Sequence, residues 1–275
     1  MCLIKNNNRM ISSTLTEQLE KKTRQKSQPL EKYYKKDEIY EIGIDEVGRG
    51  PLFGRVYTAS VILPKDESFD HSKMKDSKKF HSKKKINETA DYIKKNALYW
   101  CVHYEDEKII DEINILQATQ RSMHSCIKDI LQKSQSSHHL NKSNTRLLVD
   151  GNYFNPFTYF NPQRKMIESY QHTCVEGGDN KYSAIAAASI LAKVSRDEYI
   201  QDLCDNYPTL IEHYSIDTNK GYGAKKHLDG IQKYGITEWH RKSFAPCKYY
   251  VSGEYVENVN LKKDTTTCAV IVDEE

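Results

Sequence analysis

Apolar residues follow two different spacings along the chain, and both begin at about residue 39. Five short segments are continuously apolar or alternate between apolar and polar residues, which is the pattern of β-strands. These predicted strands are Tyr40–Asp45, Val56–Leu63, Leu98–Tyr104, Leu147–Asp150 and His172–Glu176.

Four longer segments place apolar residues three or four positions apart, as amphipathic helices do. They are Ser82–Asn96, with Ser82 as the N-cap, Ile113–Gln132, Tyr182–Cys204 and Lys225–Tyr234. Because strands come first and then alternate with helices, we predict one α/β domain over residues 39–250.

The two ends of the chain differ in composition from this domain. Residues 1–38 are rich in Asn, Gln, Ser and Lys, and residues 1–36 carry nine basic and three acidic residues. We therefore predict a largely disordered basic tail over 1–38. Residues 251–275 carry six acids and two lysines and are predicted to form an acidic tail of low order.

The formal net charge of +3 does not by itself indicate nucleic-acid binding, because residues 37–275 together carry a net charge of −3. A local signal exists in the run 73–85, which contains seven lysines and one aspartate. Such a run could follow a phosphate backbone, and it is equally compatible with a solvated helix entrance.

Several classes of protein are excluded or disfavoured. The longest weakly polar run, Ala184–Val194, is far shorter than the roughly 20 residues of a membrane-spanning helix. No signal peptide is visible, so we expect a soluble, cytoplasmic protein that is not secreted. The seven cysteines form no C-x-x-C pair, so we expect small reduced thiols and no zinc site.

Acidic residues stand where predicted strands end. Asp45 and Glu46 follow one strand, Asp150 ends another, and Asp179 precedes the longest predicted helix. Each acid alone has an ordinary interpretation, since Asp is common in turns and at helix N-caps. Together they lie where ligands of α/β folds bind, and carboxylates without His or Cys partners favour Mg²⁺ or Mn²⁺.

Six sequence blocks, in order over residues 43–244, resemble the signature of the ribonuclease HII (type 2 ribonuclease H) family. These blocks are GIDEVGRGPL (43–52), DSKK (76–79), LVDGN (148–152), AAASILAKVSRD (186–197), KGY (220–222) and HRKSF (240–244). The resemblance implies a ribonuclease H-like fold, with a central mixed sheet flanked by helices and a small helical C-terminal part.

The resemblance also implies an activity. Members of the family are endonucleases that hydrolyse the RNA strand of RNA–DNA hybrids and nick duplex DNA on the 5′ side of embedded ribonucleotides. Two Mg²⁺ or Mn²⁺ ions would be held by Asp45, Glu46, Asp150 and Asp179. The implied partners are the hybrid and the ribonucleotide-containing duplex, and the implied state is a monomer.

The same motifs imply contacts between this chain and its substrate. Gly48, Arg49 and Gly50 would meet the ribose 2′-hydroxyl through backbone groups, and Tyr222 would pack on the sugar at the RNA–DNA junction. Phosphate contacts are expected from Lys78 and Lys193 and more weakly from Arg196 and Arg241. The chain departs from the family pattern at Gly177, commonly a basic residue, and at Gly223, usually a proline.

Three other interpretations compete with this one. Ribonuclease HIII usually has a lysine at the position of Arg49 and an additional N-terminal domain, for which 38 polar residues are too few. A structure-specific DNA nuclease of the same broad fold would cut all-DNA junctions. A catalytically silent binder of RNA–DNA hybrids would lack metal-dependent cleavage.

Overall fold

A five-stranded mixed sheet forms the centre of the computed structural model, which describes residues 29–250. The strands of this sheet are β1 Tyr40–Val47, β2 Val56–Ile62, β3 Tyr99–Glu105, β4 Thr145–Asp150 and β7 Gln171–Val175. Their order is β3-β2-β1-β4-β7, with β1, β2 and β3 antiparallel and β1, β4 and β7 parallel. All five predicted strands are present.

Helices cover both faces of this sheet. Their bounds are α1 Lys83–Asn96, α2 Glu107–Lys133, α3 Ser183–Asn206, α4 Thr209–Tyr214, α5 Ile216–Asn219 and α6 Lys225–Tyr234. All seven residues of β2 are buried because both of its faces are covered. The predicted fold class, a mixed sheet flanked by helices with a helical C-terminal part, is confirmed.

The central helix α3 crosses directly over β1. A Cβ atom on Gly43 would lie 2.2 Å from the backbone of Ala184, so only glycine allows this approach. The alanines of α3 at 186, 187 and 188 are fully buried, as expected for a small-residue face that packs closely on the sheet. This packing fixes the start of α3 beside the end of β1.

Helix α2 begins earlier than predicted. The prediction started at Ile113, whereas the helix begins at Glu107 and is broken at Asn114, whose φ of 62° is not helical. The Asn114 side chain accepts a hydrogen bond from the Gln117 N–H at 3.0 Å and so caps the second part of the helix. The apolar stripe revealed only that second part.

A hairpin and two short helices within the expected helical C-terminal part were not predicted individually. The antiparallel hairpin of β5 Thr158–Asn161 and β6 Met166–Ser169 stands apart from the central sheet. The short helices α4 and α5 join α6 in a C-terminal lobe, whose apolar core includes Phe53 and Ile231. Phe53 lies between β1 and β2 in the chain, so this lobe packs against the loop that follows β1.

The boundary of the predicted N-terminal tail needs a correction. Residues 1–28 and 251–275 lie outside the described residues, but residues 29–38 contact the domain. The Glu31 N–H donates to the Lys181 carbonyl at 2.9 Å, and its carbonyl accepts from the Ser183 N–H at 3.0 Å. Asp37 forms an ion pair with the buried Arg146 at 3.1 Å. Basic composition does not reveal such specific pairings.

No helix between residues 29 and 250 is long and apolar enough to cross a membrane. Of the cysteines in this range, four are buried and one is half-buried, and all five are free thiols. The remaining two, Cys2 and Cys268, lie outside the described residues.

Candidate active site

The ends of three neighbouring parallel strands bring the four predicted acids to one edge of the sheet. Asp45 and Glu46 lie at the end of β1, and Asp150 is the last residue of β4. Asp179 lies in the short 3-10 turn Gly178–Asn180 after β7. The register pairs Ile44 with Val149 and Asp150 with Val175, so the carboxyl ends of these strands are level.

Hydrogen bonds fix the two central carboxylates. Asp45 is 4% exposed and accepts a hydrogen bond from the Glu46 N–H at 2.7 Å. Asp150 accepts from the Gly178 N–H at 2.6 Å, which ties the end of β4 to the turn that carries Asp179. The ordinary alternative for Asp179, an N-cap of α3, is not observed, because α3 begins after Tyr182 without a side-chain cap.

Burial, and then repulsion between neighbouring carboxylates, disfavours the charged form of these acids. Burial raises the pKa of Asp45 well above its ordinary value, and the charges of Glu46 and Asp150 raise it further. Burial also raises the pKa of Glu46, although Arg49 opposes this shift. The pKa of Asp150 is raised first by burial and then by the nearby Asp179. The site therefore favours the binding of positive charge.

The two predicted lysines occupy different positions. Lys78 is 79% exposed, and its ammonium lies 3.4 Å from the Asp179 carboxylate, so it reaches the acid cluster directly. Lys193 forms an ion pair with Asp197 at 2.9 Å and lines a cleft of about 280 Å³ that also contains Lys83 and Lys220. Lys193 thus lies in a cleft of mixed charge, which also contains Asp197 and Glu198, and makes no ion pair with the four acids.

The prediction that Arg196 and Arg241 contact phosphates is wrong. Their side chains are 1% and 0% exposed, so neither can reach a ligand at the surface. The Arg241 guanidinium donates to the carbonyls of Gly48, Arg49 and Gly54 at 2.6, 2.8 and 2.9 Å. These arginines satisfy buried backbone carbonyls, a role that residue type and motif position do not distinguish from phosphate binding.

The contacts of Arg241 set the orientation of the Gly48-Arg49-Gly50 turn. In a trans peptide the C=O and the following N–H point in opposite directions. Because the carbonyls of Gly48 and Arg49 point toward Arg241, the N–H groups of Arg49 and Gly50 point away from it. Within residues 29–250 no backbone carbonyl accepts these two N–H groups.

The turn also requires glycine at its first position. Gly48 has a φ of 93°, and a Cβ atom there would lie 2.4 Å from the Arg196 side chain. Tyr222 lies on the other side of the turn, where a Cβ on Gly50 would be 3.6 Å from its ring. The Tyr222 ring is half exposed, so its free face is open to solvent.

Further polar residues, which were not predicted from the sequence, form hydrogen bonds with the acids. The Asn180 amide donates to Asp179 at 3.1 Å and to Asp76 at 3.2 Å. The Ser189 hydroxyl bonds Asp45, which lowers the pKa of that acid, and lies 3.0 Å from the Ser77 hydroxyl. Asp76, Ser77 and Ser189 stand inside the quoted sequence blocks, which gave the only signal for them.

A second group of potential metal ligands lies at the opposite side of the sheet. Cys101 and His103 on β3 and Asp129 on α2 bring one ligand atom each within 4.8 Å of one another. The His103 ring nitrogen lies 3.0 Å from the Asp129 carboxylate, and the Cys101 thiol donates to the same oxygen. These residues satisfy one another, so their geometry does not require an ion.

Known proteins are similar to this chain in fold and in sequence. The crystal structure of ribonuclease H2 from Pyrococcus horikoshii aligns with a TM-score of 0.54 at 19% identity, over 78% of this chain and 98% of that chain. The crystal structure of Bst-RNase HIII in complex with Mn²⁺ aligns with a TM-score of 0.53 at 18% identity, over 78% and 70%. The fold is that of a type 2 ribonuclease H.

The particular family follows from sequence similarity. The model of the family "Ribonuclease HII" matches residues 42–247. The ribonuclease HII of Bacteroides thetaiotaomicron is 41% identical over 212 residues, which are 77% of this chain and 92% of that protein. The chain therefore belongs to the ribonuclease HII family, and it is an enzyme, a ribonuclease H. The family assignment made from the sequence blocks is confirmed, and ribonuclease HIII is the weaker interpretation.

Proposed function

We propose that this enzyme hydrolyses the RNA strand of RNA–DNA hybrids and nicks duplex DNA on the 5′ side of embedded ribonucleotides. The observation that carries the proposal is the convergence of four carboxylates beside a backbone turn whose free N–H groups face outward. The acids supply a phosphodiester-cleaving centre, and the turn supplies a way to recognise ribose.

Divalent cations fit the donor set of the acid cluster. Asp45, Glu46, Asp150 and Asp179 offer only oxygen ligands, which Mg²⁺ and Mn²⁺ prefer. Burial and mutual repulsion raise the pKa of three of these acids, which bound cations would reverse. Two such ions would supply charge neutralisation and an activated water for phosphodiester hydrolysis. The Mn²⁺ complex of Bst-RNase HIII supports this choice of ion.

Other residues of the chain would contact the substrate. The N–H groups of Arg49 and Gly50 would donate to the ribose 2′-hydroxyl, the group that separates RNA from DNA at one position. The exposed face of Tyr222 would pack on the neighbouring sugar. Lys78, beside Asp179, would contact the phosphate to be cut, and Lys193 would contact a phosphate further along the duplex.

A cleavage assay tests the proposal. Three substrates are offered at one ionic strength: a uniform RNA–DNA hybrid, a DNA duplex with one embedded ribonucleotide, and an all-DNA four-way junction. Each is incubated with Mg²⁺, with Mn²⁺ or with EDTA, and the cut is mapped. We expect metal-dependent cutting of the first two, on the 5′ side of the lone ribonucleotide.

The other interpretations predict different results in the same assay. Binding without cleavage in either metal would indicate a silent hybrid-binding protein. Cleavage of the all-DNA junction would indicate a structure-specific DNA nuclease. The monomeric state and the cytoplasmic location stay predictions, and a sedimentation measurement would check the first.

A further inference from the structure

Two fully buried histidines lie beneath the loop that carries Tyr222, and the proposed reaction uses neither. His227 is on α6, and His240 follows that helix. The segment of His240 is anchored to the loop after β1, because the Arg241 N–H donates to the Leu52 carbonyl at 2.9 Å and the Gly54 N–H donates to the Trp239 carbonyl at 2.7 Å.

The two histidines form one continuous chain of hydrogen bonds. The Thr237 N–H lies 2.9 Å from His240 Nδ1, the two Nε2 atoms are 3.1 Å apart, and His227 Nδ1 lies 2.9 Å from the Tyr222 carbonyl oxygen. A backbone N–H can only donate and a carbonyl can only accept, so both ends of the chain have fixed roles.

These fixed ends determine every proton between them. His240 Nδ1 must be an acceptor because the Thr237 N–H points at it, so the Thr237 hydroxyl, also 2.9 Å from Nδ1, can only donate to this atom, and a neutral His240 carries its proton on Nε2. His227 Nδ1 must be the donor to the Tyr222 carbonyl, so a neutral His227 accepts at Nε2. One proton therefore lies between the two Nε2 atoms, and a second would place two N–H groups against each other. Burial lowers the pKa of His227, and burial with the neighbouring His227 lowers the pKa of His240 to about 3, which agrees with two neutral rings.

The loop held by this chain has an unusual backbone. Lys220 has a φ of 53° and Gly221 a φ of 85°, so two consecutive residues before Tyr222 are left-handed. A non-glycine residue in that region is strained and needs support from its surroundings. On one side the Gly221 carbonyl accepts from the Leu52 N–H at 2.8 Å. On the other side the Tyr222 carbonyl accepts from His227 and, at 2.7 Å, from the Ala224 N–H.

We propose that His227 and His240 are positioning residues, which hold the Tyr222 loop against the Gly48-Arg49-Gly50 turn through a neutral relay running from Thr237 to His240, to His227 and to the Tyr222 carbonyl. This role extends the proposed function. It rests on that function in one respect only, the part that Tyr222 plays in choosing the cut position. The hydrogen bonds that hold the loop in place do not depend on catalysis.

Two substitutions of His227 separate this role from space filling. His227→Asn places an amide N–H where Nδ1 is, so it keeps the bond to Tyr222 and loses the bond to His240. His227→Gln places its amide where Nε2 is, so it keeps the bond to His240 and loses the bond to Tyr222. His227→Asn leaves the His240 Nε2–H without its partner, whereas after His227→Gln the Tyr222 carbonyl keeps its bond from the Ala224 N–H, so we expect His227→Asn to lose at least as much stability as His227→Gln.

The first readout is amide hydrogen exchange of residues 221–224, which needs no catalysis. We expect His227→Gln to speed exchange by about three- to tenfold, as for the loss of one hydrogen bond, and His227→Asn to stay near the wild type. Equal exchange in both variants would overturn the proposal. Should neither variant fold, ¹⁵N spectra of the wild-type imidazoles decide, since the Nδ1–H form of His240 or a charged ring at neutral pH would contradict the relay.

The second readout is the ratio of cleavage of the single-ribonucleotide duplex to that of the uniform hybrid. We expect His227→Gln to lower this ratio by about three- to tenfold and His227→Asn to restore it. If exchange rises in His227→Gln while the ratio is unchanged, the positioning of the loop is supported and the junction role of Tyr222 in the proposed function is refuted.

Discussion

Two groups of charged side chains with little solvent exposure lie close together in this molecule, and their surroundings differ. At the edge of the sheet, Asp45 and Asp150 face other acids, and their pKa values are raised by burial and by those neighbours. Beneath the adjacent turn, Arg196 and Arg241 are even less exposed, yet backbone carbonyls surround their guanidinium groups. Both groups form hydrogen bonds within the fold, but the acids also repel one another, whereas neutral carbonyls face the guanidinium groups.

This contrast distinguishes a binding site from a structural element. Burial of a charge costs free energy in both places, and in both places the chain supplies hydrogen bonds. Only at the acid cluster do several like charges also converge at one edge of the sheet, which favours the binding of an external cation. The arginines, by contrast, keep the backbone of the neighbouring turn in one orientation. The following experiments test this contrast.

The largest effect is expected at the acid cluster. Asp45→Asn keeps the shape of the side chain but removes the charge that would hold a divalent ion, so cleavage should fall by about two orders of magnitude or more. Because the substitution also relieves repulsion, the free energy of unfolding should not decrease. Asp129→Asn, on the far side of the sheet, serves as the control and should keep its activity. Normal turnover of Asp45→Asn in Mg²⁺ would contradict the assignment.

Substitution of a buried arginine should lower the free energy of unfolding. Arg241→Lys keeps the positive charge but cannot reach three carbonyls with a planar fork, so the free energy of unfolding should fall by about 3 kcal/mol. Arg121→Lys, at an exposed ion pair with Glu105, should cost close to nothing. Chemical denaturation of both variants gives the comparison. Equal stabilities would mean that the buried guanidinium is not a structural element.

The buried histidines give the scaffold a pH dependence of known sign. A histidine whose pKa is lowered in the folded state takes up its proton on unfolding, so its stabilising contribution is present above pH 6.5 and is lost as the pH falls toward the folded value of about 3. Between pH 6.5 and about pH 5, the wild type should lose about 1–2 kcal/mol of stability relative to His240→Asn. Parallel pH profiles of the two proteins would refute a neutral His240.

Junction recognition should be a smaller and more selective effect. Tyr222→Ala should lower cleavage of the single-ribonucleotide duplex by about tenfold and that of the uniform hybrid by less, because the hybrid offers alternative registers. Gly223, where the family usually has proline, would loosen the loop and reduce this difference. Tyr234→Ala, a similarly exposed tyrosine, is the control. Equal losses on both substrates would show that Tyr222 supports only general binding.

The smallest effect is expected at the N-terminus. Removal of residues 1–28 should leave folding and the cut position unchanged and weaken substrate binding mainly at low salt, because counterion release supplies that contribution. Removal of residues 1–38 should in addition lower stability, because it takes Asp37 away from the buried Arg146. If both truncations are equally stable, residues 29–38 do not belong to the domain.

The order of the strands and long helices, the positions of Asp45, Glu46 and Asp150 at strand ends, and that of Asp179 before the longest helix could be predicted from the sequence alone. This is possible because alternating apolar residues report which face of a strand is buried, and because an acid after such a strand must lie at an edge of the sheet. The blocks around Asp45 and Asp150, together with four others, then indicated the family. Predictions of local pattern therefore agree with the structure, and the chemistry of the acids stays a prediction.

Whether a basic residue is buried in the fold or exposed at the site depends on tertiary contacts. Arg241 and Gly48 are separated by 193 residues, and their hydrogen bond depends on how the C-terminal lobe packs against the loop after β1. No periodicity reports such a contact, so the sequence could not separate this buried arginine from the exposed Lys78. The same reason explains the ordered residues 29–38 and the histidine relay, since hydrogen bonds between distant segments form only after the chain has folded.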